Sequence, residues 1–245
     1  MLQIIFIDKI NIVNKKFLNN ISYIIASVKK WHKNEFHKIK KKLKGDWYLI
    51  ESYEELTLEN IEKINPTYIF FPHWSKKVPQ EIFNKFECIC FHETDLPFGR
   101  GGSPIQNLIN KGFDKTKISA FKIIEEFDAG PIYLKTSLSL EGLAEEIYIR
   151  STKLVFQMIE SIIVENIKPV EQQGDITIFK RRNPEQSLIP DKIYDLKELF
   201  DFIRMLDAEG YPKAKIIYNN FVFEFERPAL RTEKIEATVQ IRCND

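Results

Sequence analysis

The sequence has few cysteines, few histidines, no long apolar run and almost no net charge, and each shortage removes a class of protein. Three cysteines in 245 residues, Cys88, Cys90 and Cys243, cannot build a disulfide framework. Cys88 and Cys90 share one face of a strand two residues apart, a poor geometry for bridging. Reduced thiols suit a cytoplasmic protein. No apolar run approaches the roughly twenty residues of a membrane span. The opening MLQIIFIDKINIV meets Asp8 and Lys9 too soon for a signal peptide. A cytoplasmic chain with no membrane partner is therefore expected. The four histidines have no paired ligand spacing, so no metal site is expected. With 36 basic and 35 acidic residues the net charge is +1, which argues against a nucleic-acid partner. Ser75, Thr94 and Ser103 lack a base at triad spacing, which leaves a serine hydrolase without support. Internal repeats and low-complexity tracts are lacking too.

What the sequence does have is a core and an alternation. Hydrophobic residues make up 44% of it, enough for a large packed interior. Short apolar runs at 2–7, 46–52, 66–72 and 88–91 read as strands. Helical patterns cover about 17–32, 57–64, 78–86 and 103–112, the last with Ser103 as cap, Pro104 at the first turn and Gly112 as stop. Strands at 117–128 and 131–140 surround a turn at Asp128-Ala129-Gly130. A long amphipathic helix follows at 143–167. Apolar strands alternating with helices predict an α/β fold with a mostly parallel sheet covered on both faces.

Composition changes after residue 167. Pro169, Pro184 and Pro190 frame a linker, 168–190, around one strand, ITIF. A helix at about 195–207 and strands at 214–218, 221–227 and 235–242 predict a small α+β subdomain. The expected domains are 1–167, the linker 168–190, and 191–245.

The chemistry concentrates after strands, where open α/β sheets bind ligands. Three segments qualify: FPHWS (71–75), FHETDLPFGRGGSP (91–104) and EEFDAG (125–130). Glycines at 99, 101 and 102 permit positive φ. The helix start at Ser103-Pro104 offers amides to negative charge. His92 is the natural general acid or base, its ordinary pKa lying near neutrality. Asp128 follows 36 positions later on a tight turn and could orient the imidazole.

Together these residues resemble the folate-dependent formyltransferases. That family carries Asn-x-His at a strand end, then a Leu-Pro loop with Arg-Gly, then Asp-x-Gly about 36 positions on. The matching residues here are Cys90-Phe91-His92, Leu96-Pro97 with Arg100-Gly101, and Asp128-Ala129-Gly130. The resemblance covers about residues 1–185 and is nearest to the branch acting on nucleotide-linked amino sugars of the pseudaminic acid type. It implies a Rossmann-like formyltransferase domain and 10-formyltetrahydrofolate as cosubstrate. It also implies N-formylation of a nucleotide-linked amino sugar, such as a UDP-linked 4-amino-4,6-dideoxy sugar, in surface glycan biosynthesis. A homodimer is compatible with it. Methionyl-tRNA formyltransferase and a non-catalytic folate-binding relative are the alternatives.

By the same resemblance, the pterin is held mostly through backbone groups of two loops. These correspond to Phe71, His73, Trp74 and Ser75, and to Ile124, Glu126, Phe127 and Asp128. His92 would stabilise the tetrahedral oxyanion or take the amine proton, with Asp128 orienting it. The family's asparagine is Cys90 here, and a thiol is a weak donor. Thr94, Gln106 and Asn107 are the nearby polar candidates to replace it. Thr94, Arg100, Gly101, Gly102, Arg181 and Arg182 are the expected acceptor-side residues. For Arg181 and Arg182, diphosphate recognition and a solvated strand end are equally open. Arg100 either holds phosphate or anchors the glycine loop, and Trp74 either borders a ligand or packs.

Overall fold

A computed structural model describes residues 21–244. The strand expected at 2–7 and the first residues of the helix expected at 17–32 lie outside the described residues. The rest of that helix is corrected. Ser22–Ala26 is a strand, β1, and the helix α1 begins only at His32 and runs to Lys42. The segment SYIIA is a short apolar run, and such a run reads equally well as either element.

The strands β2 (Asp46–Ile50), β3 (Tyr68–Phe71) and β4 (Cys88–His92) follow, separated by α2 (Leu58–Ile64) and α3 (Gln80–Phe83). β5 (Arg100–Gly101) leads into α4 (Pro104–Asn110). β6 (Lys115–Lys122) and β7 (Ile132–Ser139) precede the long α5 (Ala144–Val164). The six-stranded sheet has the order β2-β1-β3-β4-β6-β7, and the β2-β1, β1-β3 and β3-β4 pairs are parallel.

Two compact units divide the chain, and their segments interleave in sequence. The first takes the described part of Met1–Phe91, with Ala120–Leu134 and Thr152–Glu171. Its core joins alternate strand residues Ile24, Ala26, Ile69, Phe71 and Cys88 to Ile61, Ile82 and Phe83 of α2 and α3. The intervening residues Tyr23, Ile25, Phe70 and Ile89 are buried as well. Burial on both faces is what makes these strands continuously apolar rather than alternating.

The second unit takes His92–Ser119, Lys135–Ser151 and Gln172–Asp245. In it β5 pairs in parallel with β8 (Ile178–Phe179). A helix, α6 (Leu196–Arg204), capped by the Asp195 carboxylate on the Glu198 amide, packs on the strand Phe221–Leu230. β9 (Ala214–Tyr218), β10 (Phe221–Leu230) and β11 (Ile235–Cys243) form an antiparallel sheet in the order β11-β10-β9. This matches the α+β character expected after residue 190.

Candidate functional site

In the first unit the register of β4 sets the geometry. Cys88 is level with Ile69, and Cys90 with Phe71, the last residue of β3. Ile123 donates its amide to the Cys88 carbonyl at 2.8 Å. The turns 72–77 and 123–130 therefore both leave the sheet beside β4. Lys77 Nζ lies 5.8 Å from the ring centroid of Phe127, which joins the two turns.

Each residue of the first turn is held. The Cys90 thiol donates to the Phe71 carbonyl at 3.7 Å. Phe71 is fully buried, so only its backbone can meet a ligand. His73 has φ +49 and shares a hydrogen bond of 2.9 Å with the buried His32. The Trp74 ring packs at 5.6 Å from Phe71 and 4.7 Å from Tyr53. Ser75 Oγ lies 2.8 Å from the Tyr53 hydroxyl.

The second turn is more open. Ile124, Glu126 and Phe127 are exposed, and Asp128 is half-buried with φ +54. The strand expected to run to Asp128 stops at Lys122. The chain then turns so tightly that a Cβ on Gly130 would sit 1.7 Å from the Lys122 carbonyl oxygen.

His92 belongs to the second unit and is 8% exposed. Its Nε2 lies 2.8 Å from the Gly99 carbonyl oxygen. The fully buried Thr94 hydroxyl donates to the same carbonyl at 3.4 Å. A carbonyl only accepts, so Nε2 carries the proton and Nδ1 is the basic atom of the neutral ring. Glu93, adjacent and 6% exposed, accepts from Ser151 at 3.4 Å. Nothing in its local sequence distinguished this buried carboxylate.

The glycine loop is a structural clasp. The amides of Arg100 and Gly102 donate to the Thr177 and Phe179 carbonyls at 2.9 and 3.1 Å. A Cβ on Gly101 would meet the Phe179 carbonyl oxygen at 2.3 Å, and one on Gly102 would meet Arg181 Cβ at 2.4 Å. Arg100 is nearly buried and bonds Gln172 Oε1 through Nε and Nη2, at 3.2 and 2.9 Å. Ser103 heads α4 as expected but with φ +53 and no side-chain cap. Its hydroxyl instead accepts from the Arg182 amide at 3.1 Å.

The candidates to replace the family asparagine are engaged elsewhere. Asn107 Nδ2 is within 3.0 Å of the Gly102, Ser103 and Lys180 carbonyls. Gln106 Nε2 donates to the Tyr148 hydroxyl at 3.0 Å, and that hydroxyl lies 2.6 Å from the Tyr211 hydroxyl. Burial first, and the Tyr211 hydroxyl second, push the Tyr148 phenol well above its ordinary value. Arg181 is exposed. The Arg182 guanidinium lies 5.7 Å from the Phe202 ring, and burial pulls its pKa down.

Comparison with known proteins corrects the acceptor. Residues 13–150 match the family described as Formyl transferase, and residues 184–242 match the methionyl-tRNA formyltransferase C-terminal domain. A methionyl-tRNA formyltransferase from Sulfurihydrogenibium sp. is 30% identical over 177 residues, covering 67% of this chain and 55% of the relative. The chain thus spans about half the length of the curated relatives it matches. The solved methionyl-tRNA formyltransferase from Clostridium thermocellum is 47% identical, with a TM-score of 0.88, covering 91% of this chain and 99% of that one. A 4-N formyltransferase from Francisella tularensis shares the fold (TM-score 0.66, covering 82% of this chain and 94% of that one) at 15% identity. These matches overturn the expected nucleotide-linked amino sugar, its glycan pathway and the exclusion of nucleic acid. The parallel sheet is that of a Rossmann-like formyltransferase domain, with a small C-terminal domain after it, and the chain belongs to the formyl transferase family.

Proposed function

We propose that this protein transfers the formyl group of 10-formyltetrahydrofolate to the α-amino group of methionyl-tRNA. The observation that carries the reading is the 47% identity to the Clostridium thermocellum enzyme over nearly its whole length. In this reading residues 1–167 form the catalytic domain and 191–245 a C-terminal subdomain. The turns at 71–75 and 124–128 hold the pterin, chiefly through backbone groups.

The amine nitrogen attacks the formyl carbon and a tetrahedral oxyanion forms. With Nε2–H committed to Gly99, His92 takes the amine proton on Nδ1. The resulting Nδ1–H is then the donor to the oxyanion. Collapse breaks the bond between the formyl carbon and the folate nitrogen, and the leaving nitrogen takes up one proton, which balances the one that His92 removes from the amine. This reading gives Cys90 no share in the chemistry; its thiol has the Phe71 and Phe91 carbonyls as acceptors, at 3.7 and 4.0 Å.

Residues 184–245 carry 9 Lys and Arg against 12 Asp and Glu, a balance of −3. Few phosphate contacts are available there, so affinity for tRNA falls only shallowly with salt. The test is a discontinuous assay with charged methionyl-tRNA and 10-formyltetrahydrofolate. Formylmethionyl-tRNA at a rate well above the enzyme-free control is expected. Formate released to water, with the methionyl-tRNA left unmodified, would overturn the reading.

A further inference from the structure

Residues 172–182 read as linker in the sequence, yet they are bonded along their length to the loop that follows His92. The Thr177 amide donates to the Pro97 carbonyl at 3.3 Å. The Lys180 carbonyl accepts from Asn107 Nδ2 at 3.0 Å. These bonds add to those of Arg100, Gly102 and Ser103, so β8 and its flanks hold the whole of 97–107. Phe179 lies in the middle of this strap, buried, with its ring edge-on to Phe98 at 5.5 Å and 82°.

The place of Gly99 follows from its neighbours. A Cβ there would meet Thr94 Cγ2 at 2.7 Å and Phe179 Cε2 at 2.9 Å, and φ is +77, so only glycine fits against both side chains. Thr94 is itself fixed, because its carbonyl accepts from the buried Ser119 hydroxyl of β6 at 2.7 Å. The Gly99 carbonyl held in this way takes the His92 Nε2–H at 2.8 Å. The two tautomers of a neutral imidazole differ little in energy by themselves, and the bond made by one nitrogen decides between them. If the Gly99 carbonyl moved out of reach, the His92 proton would be free to sit on either nitrogen.

We infer that Phe179 is a positioning residue for His92: its ring, with Thr94, holds Gly99 so that the Gly99 carbonyl fixes the imidazole as the Nε2–H tautomer, with Nδ1 as the base. The catalytic half of this inference rests on the proposed function; the tautomer half does not. Phe179 and Thr94 are both buried and act through Gly99 rather than on a ligand. Such a residue still governs rate, since a reacting group about 1 Å out of place loses about a hundredfold.

Two measurements on the full chain test it. Long-range proton–nitrogen correlation spectra of the histidine-labelled protein, with His92 assigned by its loss in His92→Gln, need no substrate. They should show the Nε2–H tautomer alone in the wild type and a mixture of both tautomers in Phe179→Ala. In the same variant kcat for transfer to methionyl-tRNA should fall about ten- to a hundredfold, with KM unchanged. Phe179→Leu keeps the space largely filled and takes the place of Phe179→Ala if that variant does not fold; it should show both effects in smaller measure. Ile61→Val, a truncation in the core of the other unit, should lower the melting temperature and move neither readout. An Nδ1–H wild type, a single Nε2–H tautomer in the folded Phe179 variant, or an unchanged kcat would overturn the positioning role. Failure of the wild type to formylate methionyl-tRNA, with the tautomer results intact, would count against the proposed function alone.

Discussion

The Nε2 atom of His92 lies 2.8 Å from the Gly99 carbonyl oxygen, so the ring's base is Nδ1. Structure and chemistry at this residue can be separated by substitution. His92→Gln retains an N–H that reaches Gly99 but has no base where Nδ1 was. It should melt within a few degrees of the wild type and lose about 10²–10⁴-fold in formyl transfer, the usual worth of a general base. His92→Ala should lose the same activity and also some stability, since the Gly99 carbonyl keeps only the longer Thr94 bond. Thermal melting and single-turnover transfer check both.

His32 predicts an acid limb to stability. Its folded pKa of about 2 lies below the ordinary 6.5, mainly through burial. Below about pH 6.5 the unfolded chain takes a proton that the folded chain refuses. Stability is therefore fully present above that pH and is lost as pH falls toward the folded value. His32→Gln removes the titration, so its urea midpoint should vary less than the wild type's between about pH 7 and 4.

Gly130→Ala should destabilise by about 2–4 kcal/mol, because the backbone itself occupies the place of the new Cβ. The same substitution at Gly112 meets nothing within 4 Å and faces only a φ of +80. It should cost about 1 kcal/mol. Urea denaturation of the two variants compares packing against backbone strain directly. Gly130→Ala should also reduce transfer, since Asp128 shares its turn.

The Arg204 guanidinium is 5% exposed and bonds Asp201 at 2.5 Å and the Leu140 and Gly142 carbonyls at 2.5 and 2.8 Å. Asp201→Ala leaves that charge buried without its carboxylate and should cost about 3–5 kcal/mol. Replacing both residues, as Asp201→Leu with Arg204→Met, should cost less than the single change. Equilibrium denaturation of the single and double variants forms the cycle that checks it.

Much of this fold can be read from the chain alone. β2, β3 and β4 follow from short apolar runs, with Pro66 and Pro72 closing the third, and the long α5 follows from its amphipathic period. His92 is legible because a buried strand ends on it before a loop dense in glycine. β1 is not, since SYIIA is a short apolar run that reads equally well as part of a buried helix. Nor is the His32–His73 hydrogen bond, because His73 lies 41 residues from His32 and only the parallel β1–β3 pairing brings them together. Ser103-Pro104 marks the start of α4 correctly, yet its hydroxyl bonds Arg182, 79 residues away, a partner no local pattern can name. The amino-sugar acceptor was misread from short motifs around His92 that resemble one branch of the family, and nucleic acid was set aside on a net charge that belongs to the whole chain, whereas the matches extend over most of its length.

The offset of β4 against β3 has a consequence for how such a chain can change in length. The segment between Phe71 and Cys88 can gain or lose residues at its exposed positions while the parallel register holds. Inside β4 there is no such latitude. One inserted or deleted residue between Cys88 and Phe91 would turn every following side chain to the opposite face of the sheet. Phe91 would then point where Cys90 and His92 now do, and the histidine would face the other layer. Length variation in descendants of this sequence should therefore gather in the loops on either side of these five residues and stop at their borders.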